Sequence, residues 1–96
     1  MRKSYYSDYV NHMLRFYFSQ PSEPKHFKSR TDKLNYQVCK EVLKNKTTSE
    51  IKLIKDNACS GLWVVTLAQL HSISQDTAYN ILNKTLKEIA KKRNLI

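Results

Sequence analysis

One glycine and two prolines stand in a chain of 96 residues. Hairpins and tight turns draw on those residues, so a sheet protein would have little turn chemistry here. No glycine-rich loop is present to cradle a phosphate, which sets aside the nucleotide-binding fingerprints. The two cysteines, Cys39 and Cys59, lie twenty positions apart. There is no CxxC and no histidine at metal spacing, so neither zinc nor any other metal site is expected. Each cysteine reads as a small core residue with a reduced thiol. No apolar run approaches the roughly 20 residues that cross a bilayer. No signal peptide opens the chain, and the expected location is cytoplasmic. Acidic residues are scarce as well: eight, spread thinly, with no paired carboxylates for acid–base work. His12, His26 and His71 have no nucleophile or carboxylate partner in the neighbouring sequence. An enzyme is therefore not expected, and no cofactor is implied.

What the chain has is positive charge. Seventeen lysines and arginines give a formal net charge of +9. A surplus of that size points to a polyanion, nucleic acid before an anionic membrane. The plainer reading is a solvated basic surface.

Helical periodicity runs through every segment outside one loop, so the expected fold is all-α: a five-helix single domain, 1–96. The helices are expected near 3–18, 32–44, 48–58, 62–71 and 74–92. In the first, Tyr6, Val10, Met13 and Tyr17 share a face, widened by Tyr9, Leu14 and Phe16. Such aromatics can stack on bases, but at helical spacing core packing is the preferred reading. Residues 19–30 form the basic loop. Pro21 and Pro24 break helix there, Lys25, His26, Lys28 and Arg30 supply charge, and Phe27 is expected to pin it to the body. The loop can track a phosphate backbone or serve as a solvated connector. The second helix, capped by Ser29 or Thr31, turns Leu34, Val38, Cys39, Val42 and Leu43 inward. Thr47 with Glu50 is a capping-box signature that opens the third, with Ile51, Ile54 and Ala58 inward. A turn over Asn57 to Gly61 follows, where Gly61 can take a positive φ. Trp63 is expected to pack between the N-terminal pair, 1–44, and the C-terminal unit, 48–96.

That C-terminal unit carries the functional signal. Val64 to Leu70 is a short apolar helix. Ala68 lets a second helix approach, and Ile73 in the turn His71–Ser72–Ile73 can plug the gap between the two. Ser74 then caps a long helix. Ala78, Ile81, Leu82, Thr85 (by its methyl), Leu86 and Ile89 fall on one stripe of it. The other face bears Gln75, Asp76, Thr77, Tyr79, Asn80, Asn83, Lys84, Lys87 and Lys91. This is helix-turn-helix spacing, with the second helix offered to a DNA major groove. Amides can read the edge of adenine, Thr or Tyr can touch a thymine methyl or a phosphate, and the trailing lysines reach phosphates. Asp76 fits only where it accepts from a cytosine amine or holds a neighbouring reader.

The segment LAQLHSISQDTAYNILNKTLKEI resembles the helix-turn-helix of sigma-factor region 4. It is also similar to the small ArpU-type regulators of phages of Gram-positive bacteria. The opening MRKSYYSDYVNHMLRFYF and the ending EIAKKRNLI resemble a group of small prophage proteins. The resemblance implies a helix, then the helix pair, then a basic end across residues 48–96. It further implies a prophage or mobile-element transcription regulator whose partner is double-stranded DNA. Two positions depart from the pattern. Ser72 stands where glycine is usual, and Ala78 where a β-branched residue is usual. The rival reading is a helical protein-interaction module that docks on RNA polymerase or another regulator. In either case the aromatic helix 3–18 offers a seam for a homodimer.

Overall fold

The structure, a computed structural model, describes residues 6–20 and 26–96. Among them are five helices and no strand: α1 (Ser7–Ser19), α2 (Arg30–Leu43), α3 (Thr48–Ser60), α4 (Val64–Leu70) and α5 (Gln75–Lys92). The expected start of the first helix at residue 3, the breakers Pro21 and Pro24, and Lys25 lie outside the described residues. No helix among the described residues is long and apolar enough to cross a membrane.

The helix starts follow local chemistry. Ser29 Oγ accepts from the Asp32 N–H at 3.1 Å, so α2 begins two residues earlier than its apolar pattern suggests. Thr47 and Glu50 form the full capping box, each side chain accepting from the other's backbone N–H. The box opens α3 at Thr48, where the signature placed it. The turn expected over Asn57 to Gly61 is shorter than its sequence suggests. Helix continues to Ser60, and Gly61 alone takes the left-handed turn, with φ +70°.

α1 packs on α2 and also on the C-terminal unit. Its Val10, Met13 and Leu14 are buried against Val38, Cys39, Val42 and Leu43 of α2 and Leu53, Ile54 and Ala58 of α3. Leu67 and Ala68 of α4 and Ala78, Leu82, Ile89 and Ala90 of α5 complete the same cluster. α1 touches α2, α3 and α5, so segments 1–44 and 48–96 share one core. Phe27 packs on Phe16 and Tyr36 with ring centroids 6.4 and 5.4 Å apart, and it pins the loop as expected. Thr85 is buried, and its hydroxyl donates to the Ile81 carbonyl at 2.8 Å, which satisfies it without a tertiary partner.

Several expected core positions are corrected. Trp63 is 82% exposed and packs between no two units. After the left-handed turn at Gly61 the chain runs extended through Trp63 (ψ 148°), and α4 begins only at Val64, so the indole points away from the core. Leu34 is exposed, and its place is taken by Asn35 and Tyr36. The buried stripe of α2 centres on Cys39, and five residues at helical pitch put Leu34 about 140° away from it. In α3, Leu53 is fully buried while Ile51 is only partly so. Cys59 is exposed, one step past the last buried residue of α3, Ala58. Cys39 is the core thiol, and burial pushes its pKa up to about 12.

One buried node has no local sequence signal. Asn35 Nδ2 donates to Tyr9 Oη at 3.1 Å, and Asn35 Oδ1 accepts from Arg93 Nε at 2.8 Å. The node ties α1, α2 and the end of α5 together, and it fills both ends of a buried amide.

Candidate nucleic-acid interface

Four residues, His71 to Ser74, join α4 to α5. The Ile73 N–H donates to the Ala68 carbonyl at 3.0 Å, and the Ser72 N–H donates to the Gln69 carbonyl at 3.2 Å. This pair of bonds is a Schellman closure of α4. Its geometry puts Ser72 at φ +55°, the conformation glycine prefers, as its place in the turn predicted. Ile73 packs against the core beneath the turn. α5 ends the same way: Leu95 N–H to Ala90 O at 2.8 Å and Asn94 N–H to Lys91 O at 3.1 Å, with Asn94 at φ +63°.

Ser72→Gly is expected to stabilise the chain. A non-glycine residue in this conformation costs on the order of 1–3 kcal/mol. The added freedom of glycine in the unfolded chain takes back about 0.4–1 kcal/mol. The net is a gain near 1 kcal/mol, read as a higher urea midpoint at unchanged slope. A lower midpoint would mean that the serine hydroxyl holds the turn in a way the backbone bonds do not reveal.

At the start of α5, Ser74 Oγ accepts from the Thr77 N–H at 3.1 Å and donates to Thr77 Oγ1 at 2.8 Å. Thr77 is thus engaged in the cap while its side chain stays exposed. Gln75, Asp76, Asn80, Asn83, Lys84, Lys87 and Lys91 are all exposed, and Tyr79 is half-buried at the flank. The buried stripe of α5 is Ala78, Leu82, Thr85, Ile89 and Ala90. The nine candidate residues therefore occupy the faces that the core leaves free. Asp76 sits in the first turn, where the helix dipole favours a carboxylate.

The electrostatics of this face follow from where the acids are used. Glu88 pairs with Lys46 at 2.6 Å, and Glu41 pairs with Lys92 at 2.8 Å. Glu50 is held below the usual carboxylate range, first by the Thr47 N–H, with Lys46 and Lys84 adding to it. No ion pair engages Lys84, Lys87 or Lys91 among the described residues. Three ammonium groups thus trail the amide-rich half of the helix, with Glu50 the carboxylate that feels Lys84.

Two features escaped the sequence reading. His71 does have a carboxylate partner: its Nε2 lies 2.8 Å from Asp56 Oδ2, which ties the turn to α3. A separation of fifteen positions hides that pair from any local reading. Ser49 and Lys52 of α3 line a notch of about 140 Å³ with His71, Ile73 and Ile81, so α3 adds a hydroxyl and an ammonium group beside α5. Elsewhere, Tyr17, Phe18, Gln37, Lys40 and Lys44 border a shallow groove between α1 and α2, which takes in none of the nine. No three His, Cys, Asp or Glu side chains come together among the described residues.

Compared with known proteins, the chain matches no family model, no curated protein and no solved structure.

Proposed function

We propose that this chain is a small transcription regulator of a prophage or mobile element. In this reading it acts in the cytoplasm and reads duplex DNA through a helix-turn-helix made of α4 and α5, with α3 as the supporting helix of a sigma region 4-like unit. The observation that carries the reading is the outer face of α5. Asn80 and its polar neighbours are exposed, and the three lysines that follow form no ion pair among the described residues. Base-reading amides followed by phosphate-reaching cations are what a recognition helix needs. The phage assignment rests on the sequence resemblance alone. No catalytic role is proposed.

The test is fluorescence polarisation on labelled duplex at two salt concentrations. Binding is expected at about 50 mM salt and should weaken steeply by about 200 mM, because each neutralised phosphate releases counterions. Absence of binding at the lower salt would move the protein-interaction reading, with RNA polymerase as one candidate partner, ahead of this one. A specific observation favours that second reading: α4 carries an exposed apolar face, which DNA would not cover.

A further inference from the structure

The aliphatic face of α1 is spent inside the chain's own core, with Tyr6 and Tyr17 half-buried against it. Val10 and Met13 have no exposed surface. Exposed apolar residues are most concentrated on α4 and the residues that lead into it, while Tyr9, Leu34 and Ile96 stand singly elsewhere. Trp63 is 82% exposed and Leu70 66%, and Leu62 and Val65 are each more than two-fifths exposed. Trp63 stands at the extended N-cap of α4 and Leu70 in its last turn, so the two most exposed apolar side chains mark the ends of the helix. Trp63 is the chain's only tryptophan, and its indole alone offers about 150–250 Å².

Charge decides what can cover this face. From Asn57 to Gln75 there is no aspartate, glutamate, lysine or arginine. α4 is the one helix among the described residues with no charged side chain. A twofold interface places each residue near its own symmetry mate. In a chain of net charge +9, any lysine-bearing face brought against its copy meets its own charge. The α4 face is free of that repulsion.

We infer that a second copy of this chain docks on the α4 face, with Trp63 and Leu70 in a twofold seam. Two such patches bury on the order of 1,000 Å², the lower edge of specific interfaces. The dimer is therefore weak in solution and populated at high concentration. The seam uses none of the nine candidate residues on α5, so it does not compete with them.

The experiment contains no DNA, so its outcome is independent of the DNA reading. Sedimentation velocity and tryptophan emission are followed from roughly 1 µM to roughly 1 mM protein, the range of weak association. The sedimentation coefficient should rise toward that of a dimer, and the emission of Trp63 should move to shorter wavelength as the indole leaves water. Leu70→Lys and, separately, Leu62→Lys keep the tryptophan and put a like charge at either end of the exposed apolar stretch. Both sites are exposed, so each variant should melt as the parent does and stay monomeric throughout. A parent chain that stays monomeric with unshifted emission overturns the proposal. Self-association that survives in both variants overturns it too, since the contact would then lie elsewhere.

Discussion

Leu82→Ala is expected to lower the free energy of unfolding by about 2–5 kcal/mol, the range for emptying a leucine-sized site in a packed core. Leu82 is buried on the inner stripe of α5, in the cluster that joins that helix to the other four. The ring of neighbours cannot collapse without moving more than one helix. A domain of this size holds only about 5–15 kcal/mol in total, so the variant should be close to marginal. Lys84→Ala, two positions along and exposed, should stay within about 0.5 kcal/mol. Urea unfolding of the two variants side by side measures the difference. Equal midpoints would show that the inner and outer faces of α5 have been exchanged.

The second large effect is expected on binding. Asn80 is exposed at the middle of the outer face of α5, one turn in from the Ser74 cap. Asn80→Ala removes a side chain able to make two hydrogen bonds to adenine. It should cost about 1–3 kcal/mol at one preferred base pair and little on other duplexes. Lys87→Ala should instead weaken binding to every duplex alike. It should also flatten the dependence of log affinity on log salt by about one unit. Neither change touches the buried stripe, so both variants should fold as the parent does. Polarisation titrations on a panel of duplexes, each at two salt concentrations, separate the two signatures. If both variants bind every duplex as the parent does, α5 is not a recognition helix.

Much of the molecule was legible from local pattern. Thr47 and Ser74 were readable as caps because a cap is a contact over three residues, and of the two candidates for α2, Ser29 and Thr31, it is Ser29 that caps. Gly61 was readable as a left-handed position because a helix end needs one, and Ser72 because the resemblance puts glycine at its place in the turn. The inner face of α5 followed from its period. The places where the reading failed share a cause. Leu34, Trp63 and Cys59 are apolar or small residues placed inward by composition, yet all three are exposed. Periodicity says which residues share a face, but not how far the helix is rolled on its neighbour or where its first turn begins. Helix α4 starting at Val64, after an extended Trp63, was enough to turn the tryptophan outward.

The sequence by itself determined the class: five amphipathic helices, their caps, a net charge of +9, and the chemistry on the outer face of α5. These are local quantities, set by neighbours within about one helical turn. Only the tertiary structure decided that α1 packs on α2, α3 and α5 within a single core. It also decided that Asn35 links Tyr9 to Arg93 and that His71 meets Asp56. Those contacts join residues between fifteen and fifty-eight positions apart. Their geometry exists only after the helices have packed. The same packing leaves Trp63 and Leu70 in water, because α4 is short and its inner face, Leu67 and Ala68, is already filled.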